Sequence, residues 1–328
     1  PVNNLFNMPQ AINAAGQTVG YGFNYAGNMR PFAWQQGDLA PLIHPAAHRS
    51  FATGINNAGR VVGAGYILNT SGEITRSRAI KWTAGVPHDL GTLGGQHAVA
   101  LAINNANDMV VGFSSTPTGQ VKGFLYANNT MTALPGLPGA SECYPYDISD
   151  TKFIVGAAVV GPSTRAFRLR NGAIEELSMP AGARAAAAYG TNIFGAAVGT
   201  FEIDLNTGAH AAVLWRANGQ RVDMGNLGGP IPYAVARDIN NQGQAVGKSL
   251  GADGDFAAFL WQAGQLYNLQ DHLAPGFAGT RLLSASAIND HGVIAGTARI
   301  EGREMAVVLT PTVVPTQAFS PPITSLPE

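Results

Sequence analysis

What this sequence lacks narrows it first. One of its 328 residues is cysteine, Cys143, so no internal disulfide can form. That usage suits the cytosol, and equally an exported bacterial protein that folds without staples. Charged residues make up 12% of the chain, about half the roughly 25% usual in soluble domains. The net charge of −1 leaves no basic footprint, which argues against nucleic acid and anionic membrane surfaces as partners. No apolar run approaches the ~20 residues of a membrane helix, so membrane insertion is not expected. No signal peptide is read in this sequence, and its start at Pro1 rather than Met leads to the expectation of a processed or trimmed chain. Phosphate-binding loops, Gly-x-Ser-x-Gly and His-Glu-x-x-His are all missing. His44 and His48 have helical spacing, but Pro45 between them removes the helix that would make a metal pair. No metal and no cofactor are expected.

What is abundant is punctuation, with 41 Gly and 20 Pro. A short phrase recurs, most clearly as Ala98-Val-Ala-Leu-Ala-Ile-Asn-Asn-Ala-Asn-Asp-Met-Val-Val-Gly112. It reads as an apolar strand, a polar turn and a second strand ending in glycine. The closing glycines are Gly20, Gly63, Gly112, Gly156, Gly199, Gly247 and Gly296, in steps of 43 to 49 residues. The copy at residues 189–199 is worn. A period in the forties with short β-rich runs indicates propeller blades of four strands rather than a helical solenoid.

Within a unit, the inner strand is the Ala-x-Ala-Ile-Asn run and the second is Val-Val-Gly. The third ends in an aromatic (Trp34, Trp82, Tyr126, Trp215, Trp261), expected to pack between blades. A weaker fourth follows, as in Met-Thr-Ala-Leu134. Cys143, on an inner strand, reads as a small buried hydrophobe. The acidic stretches at 238–243 and 253–255 read as turns rather than calcium loops. Unit seven has no convincing fourth strand, whereas residues 4–9 have the apolar content of one. The expectation is therefore an all-β, seven-bladed β-propeller of four-stranded blades over residues 1–310, its ring closed by an N-terminal strand. Residues 311–328 read as a Pro-rich tail or linker.

These phrases resemble the bacterial HAF repeat family, named for a His-Ala-Phe triplet before the third-strand Trp. Here the triplet is degenerate, with His210-Ala-Ala-Val-Leu-Trp215 nearest and Arg165-Ala-Phe167 and Ala257-Ala-Phe-Leu-Trp261 as variants. Leu90-Gly-Thr-Leu-Gly-Gly95, echoed at Met224-Gly-Asn-Leu-Gly-Gly229, is similar to the family's linker between units. The resemblance implies an exported repeat protein, extracellular or periplasmic, and carries no catalytic motif.

Propellers bind ligands at an end of the central channel, and the loops leading into the inner strands are where the repeat varies most. Counting back from the inner-strand Ile gives Arg49, His97, Glu142 and Tyr233 at six residues, Tyr144 at four, and Tyr146 and Arg237 at two. His48, Arg184 and Arg281 add loop cations. Guanidinium forks bind carboxylates and rings stack on sugars, so this set suits a glycan or a carboxylated small molecule. Three functions are expected in turn. The first is an exported binding or scaffold protein with its ligand at the channel mouth. The second is a lyase or hydrolase on a uronate-like substrate, with His97 or Tyr144 as base and Arg49 neutralising the carboxylate. The third is a structural repeat that engages a protein partner at its rim.

Overall fold

The computed structural model describes residues 6–23, 27–204, 206–277 and 279–312. Its strands form seven antiparallel sheets, which follow one another around a ring in chain order. Blade 1 is β1 (Phe6–Ile12), β2 (Thr18–Phe23), β3 (Met29–Gln35) and β4 (Asp38–Pro41). Blade 2 is β5 (Arg49–Ile55), β6 (Val61–Leu68), β7 (Ile74–Thr83) and β8 (Val86–Asp89). Blade 3 is β9 (Ala98–Ile103), β10 (Val110–Ser115), β11 (Val121–Ala127) and β12 (Thr130–Ala133). Blade 4 is β13 (Ala140–Ile148), β14 (Ile154–Val160), β15 (Ser163–Arg170) and β16 (Ala173–Glu176). Blade 5 is β17 (Ala186–Thr191), β18 (Ala197–Asp204), β19 (Ala209–Trp215) and β20 (Arg221–Asp223). Blade 6 is β21 (Ala234–Ile239), β22 (Ala245–Leu250), β23 (Phe256–Gln262) and β24 (Gln265–Asn268), followed by a single 3₁₀ turn, Leu269–His272. Blade 7 has, among the described residues, three strands: β25 (Thr280–Ile288), β26 (Ile294–Ile300) and β27 (Arg303–Leu309). The protein is thus a seven-bladed β-propeller.

The recurrent glycine has a cause that the period alone does not reveal. Every inner strand carries a β-bulge, with the extra residue at Gln10, Thr53, Leu101, Tyr146, Tyr189, Arg237 or Ser286. Beside the bulge an inner-strand carbonyl is pressed against the second strand. A Cβ at Gly112 would lie 2.0 Å from Val99 O, and one at Gly199 would lie 1.9 Å from Ala187 O. The same clash recurs at Gly20, Gly63, Gly156, Gly247 and Gly296. None of the seven has the positive φ of the turn glycines. They are required by close approach.

The repeated Asn is a fastener as well as a turn former. Its Oδ1 caps its own turn, as Asn13 does for Ala15 N and Gln17 N. Its Nδ2 reaches the carbonyl at the same position one blade on: Asn13 to Asn56 O (3.1 Å), Asn56 to Asn104 O (3.2 Å) and Asn104 to Ser149 O (3.3 Å). The chain of bonds resumes with Asn192 to Asn240 O (3.2 Å), Asn240 to Asn289 O (3.1 Å) and Asn289 to Asn13 O (2.9 Å). Ser149 is too short to continue it, and there Thr151 Oγ1 donates to Ile193 O (2.6 Å) instead.

The core lies between neighbouring blades. Trp215 and Phe201 of blade 5 pack with Val155, Ala166 and Leu177 of blade 4, and Trp261 of blade 6 packs with Ala212 and Met224 of blade 5. Trp82 and Trp215 are fully buried, and their indole N–H groups donate to Ile43 O and Ser178 O. Cys143 is buried among Val111, Leu137 and Phe167. Burial pushes its thiol up to about 11, so it is an unreactive core group.

One expectation is corrected. Residues 6–9 are not a fourth strand for blade 7. They are the first half of β1 and pair with Phe23, Gly22, Tyr21 and Gly20 of β2. Residues 4 and 5 lie outside the described residues, as do 313–328 of the expected tail. The physical reason is that this stretch stands at the inner edge of blade 1, where its backbone is already paired with β2. The seam between blades 7 and 1 is held by the Asn289–Asn13 bond and by Ile12 packed on Ala287, Ala295 and Val308.

Candidate functional site

Inner strands all run in one direction along the channel, so their first residues mark one end and the Asn turns mark the other. A cavity of about 250 Å³ opens at the Asn-turn end. It is lined by the last residues of every inner strand and the turn that follows, for example residues 146–150, 189–193 and 237–241. The bulge shapes it. A bulge places two successive side chains on one face, so both Tyr146 and Asp147 line the cavity, as do Arg237 and Asp238.

Chemistry is concentrated in blades 4 to 6. The Tyr146 and Tyr189 rings lie 5.3 Å apart, and the Arg237 guanidinium sits 4.7 Å over the Tyr189 ring. The remaining bulge residues, Ser286, Gln10, Thr53 and Leu101, are uncharged. Thr53 is already occupied, since its hydroxyl donates to Ala100 O (2.9 Å). Burial, with a smaller contribution from the Tyr189 hydroxyl, pushes Tyr146 up to about 12. It is therefore a neutral donor and stacking surface.

Two carboxyls stand beside this aromatic pair. Asp147 Oδ1 accepts Ile148 N and Oδ2 accepts Thr191 N of the next blade, both at 2.8 Å. Asp238 repeats the arrangement with Ile239 N and Ile288 N, again at 2.8 Å. Blade 5 has Gly190 between them, and a Cβ there would meet Asp238 Cα at 2.9 Å. Each carboxyl touches the lumen but is enclosed by protein on its other sides. Burial, and then the charge of Asp238, raise Asp147 to about 7 against the pull of its two backbone donors. Burial raises Asp238 to about 6. Both carboxyls therefore hold their protons more tightly than a solvated acid does.

Of the residues singled out in the sequence, Tyr146 and Arg237 line this cavity. The rest lie at the other end of the inner strands or beyond. His97 and Tyr233 form parallel bridges with Ser77 and His210, third-strand residues of the preceding blade, which turns them away from the lumen. Ser77 Oγ lies 3.4 Å from His97 Nδ1. The Tyr233 ring meets His210 (5.2 Å) and Phe256 (5.4 Å). Tyr144 donates its hydroxyl to Glu142 and packs on Phe113 (5.1 Å). Burial and that bond hold the Tyr144 proton far above neutrality, so it supplies no base. Arg49 is half-buried at the start of β5, with Nε unpaired. His48 Nδ1 accepts Leu68 N, and Arg184 is exposed. Arg281 is held by Asp253 (2.6 Å) and Asp255 (3.3 Å). Among the described residues no hydrogen bond or ion pair joins His97, Tyr144 and Arg49 to one another.

Tyr189 and Asp147 do not stand out in the sequence, and Asp238 does so only as the first residue of an acidic stretch read as a turn, whereas it lies on the inner strand and lines the cavity. Tyr189 sits in the worn copy, where Thr191 replaces the Ile used for alignment; aligning on Asn192 or Gly199 places it with Tyr146 and Arg237. Asp147 and Asp238 are visible only as acids in an otherwise apolar strand, at a place held elsewhere by Ala or Gly.

No family model matches the chain, and no curated protein matches it. Solved structures do. One is a puromycin-hydrolyzing peptidase from Mycobacterium tuberculosis (TM-score 0.59, 10% identity, covering 100% of this chain and 54% of that one). Another is the β-propeller domain of the Trilobed protease from Pyrococcus furiosus, described as having an open velcro topology (TM-score 0.55, 9% identity, 98% and 99% covered). A third is an acylaminoacyl peptidase from Pyrococcus horikoshii (TM-score 0.54, 9% identity, 92% and 52% covered). The chain spans about half the length of the first and third. Likeness at such identity shows the fold alone, and what this chain shares with them is the β-propeller.

Proposed function

We propose that the propeller binds a small carboxylated sugar, or the end of a glycan carrying one, in the channel cavity at the Asn-turn end. The observation that carries this reading is the Tyr146–Tyr189–Arg237 stack, in which Arg237 is the one cation among the described residues lining the cavity, while the four acids there, Asp147, Asp150, Asp238 and Asp290, are each already bonded to protein N–H groups. Arg237 offers a planar fork to a carboxylate and the tyrosine rings offer faces to a sugar ring. A cavity of about 250 Å³ holds one such unit rather than a drug-sized molecule. Asp147 and Asp238, beside the stack, supply acceptors for sugar hydroxyls. In this reading the protein is a binding module with no reaction assigned to it. The resemblance of its phrases to the HAF repeats supports an exported, extracellular or periplasmic setting, where such glycans are met.

Calorimetric titration with D-glucuronate and D-galacturonate tests the site. Arg237→Ala and Tyr189→Ala are each expected to weaken binding at least tenfold, about 1.4 kcal/mol, while Arg184→Ala, away from the cavity, leaves it unchanged. Absence of binding by either uronate, or equal binding by Arg237→Ala, overturns the proposal.

A further inference from the structure

Blade 5 carries the worn copy of the repeat, and the wear falls at the mouth of the cavity. In the other blades the second residue of the Asn turn is Ala14, Asn57, Asn105, Asp150, Asn241 or Asp290; in blade 5 it is Ile193. Most of these side chains form a second ring of bonds, each accepting the backbone N–H at the same place in the preceding blade. Asn57 accepts Ala14 N (2.9 Å), Asn105 accepts Asn57 N (2.7 Å) and Asp150 accepts Asn105 N (2.6 Å). Asn241 accepts Ile193 N (3.1 Å) and Asp290 accepts Asn241 N (2.8 Å). Ile193 has no side-chain atom with which to accept from Asp150. Next to it, where the other turns carry Ala, Thr, Gln or His, stands Phe194, which is 52% exposed.

The fold does not require this apolar pair. Among the described residues, neither side chain joins the apolar clusters that pack blade 5 against blades 4 and 6. The turn is held by Asn192, whose Oδ1 accepts Phe194 N and Ala196 N, both at 3.1 Å. Blade 2 builds the same turn from Asn56-Asn-Ala-Gly59. What the pair changes is the surface. From Tyr189 to Phe194 blade 5 carries no charged side chain. Its polar side chains are already bonded, Thr191 Oγ1 donating to Ala196 O (2.9 Å) and Asn192 Nδ2 to Asn240 O (3.2 Å). Carboxyls stand on either side, Asp147 and Asp150 in blade 4 and Asp238 in blade 6. Between them an uncharged lane leads from the Tyr189 ring to Ile193, both on the cavity wall, and so to the exposed Phe194 at the rim.

We propose that this lane is a subsite for an uncharged aromatic group carried on the anomeric carbon of the sugar, so that the ligand is an aryl glycoside of a uronate. The inference rests on the uronate reading of the cavity and narrows it. The sugar lies on the Tyr146–Tyr189 pair with its carboxylate on Arg237, and the aryl ring leaves the cavity over Ile193 and meets Phe194 at the rim. A second sugar is the poorer occupant. Its hydroxyls would give up water against side chains that are already bonded, whereas a flat ring gains by leaving water for apolar and aromatic neighbours. Tyr189 and Ile193 are four residues apart, at most about 13 Å, a span that a sugar ring and a phenyl ring together cover.

Calorimetric titration with the methyl and phenyl β-glycosides of D-glucuronate and of D-galacturonate tests this. For the uronate that binds, the phenyl glycoside is expected to bind at least tenfold more tightly than the methyl glycoside. Ile193→Asn/Phe194→Ala, which gives blade 5 the turn phrase of blade 2, is expected to abolish that preference and leave the methyl glycoside's affinity unchanged. Arg237→Ala is expected to weaken both glycosides alike. Equal affinity of the phenyl and methyl glycosides overturns the aryl subsite and leaves the uronate site standing. So does a preference that survives the double substitution, or a double substitution that weakens both glycosides equally. Absence of binding by all four glycosides overturns the subsite too, and titration with the free uronates then decides the reading of the cavity separately.

Discussion

At Gly112 the second strand passes so close to the bulged inner strand that a methyl group would sit 2.0 Å from the carbonyl oxygen of Val99. The two nearest atoms, Val99 O and Ala100 Cα, belong to backbone, so no rotamer change relieves the clash; the bulge itself has to open. Gly119, in the turn after β10, is a useful contrast. Its φ is +83°, and a methyl group there would have nothing within 4 Å, so alanine meets only the ordinary left-handed penalty of about 1 kcal/mol. Gly112→Ala is expected to lose about 3 kcal/mol, the range of strained or overpacked core changes. Urea unfolding of the two variants decides between the causes. Equal losses would mean that conformational freedom, not close approach, selects glycine at the repeat position.

Between strands, the same bulge that demands the glycine turns Tyr146 with Asp147, and Arg237 with Asp238, toward the lumen. Period-2 alternation predicts opposite faces for such neighbours, which is why the sequence offers Tyr146 and Arg237 as lumen candidates, while Asp147 goes unmarked and Asp238 reads only as part of an acidic turn. Tyr189 is hidden for another reason, the Thr191 substitution that blurs its copy. By contrast, strand number and blade count are legible, because Gly and Asn recur where backbone geometry leaves little choice. The acids also tie elements together, Asp147 joining β13 to β17 and Asp238 joining β21 to β25. Both hold their protons more tightly in the folded chain than the usual 3.8, Asp147 to about 7 and Asp238 to about 6. Folding therefore takes up protons between about pH 4 and pH 7: their contribution is full below pH 4 and is lost as pH climbs toward 7. In Asp147→Asn/Asp238→Asn that downward slope is expected to flatten, by up to about 1.4 kcal/mol per pH unit for each carboxyl. Asp253 and Asp255, whose arginine partners lower them, are present in both proteins and cancel from the difference. An unchanged slope in urea melts across this range would show that the two acids do not carry raised values.

For the ring as a whole, six of the seven blade interfaces are crossed by chain, since each fourth strand leads into the next inner strand. The interface of blades 7 and 1 has no such link in the described residues. It relies on Ile12 against Ala287, Ala295 and Val308, and on the bond from Asn289 to Asn13 O. With similar packing elsewhere but no tether, it is the interface whose separation costs least and returns most slowly, so the ring should open there first. Amide exchange followed by mass spectrometry is expected to show β1 and β25 as the least protected of the seven inner strands, with β9 and β17 among the slowest. Asn289→Ala, which leaves the carbonyl of Asn13 without its donor, is expected to widen that gap. Asn104→Ala removes the corresponding bond inside a tethered interface and is expected to cost a similar 1 to 3 kcal/mol, roughly the penalty for an unpaired buried group, without selective opening of one seam. Uniform exchange across all seven inner strands, in the unsubstituted chain and in Asn289→Ala alike, would mean that blade packing alone sets the cooperativity of the ring and that chain connection adds nothing to it.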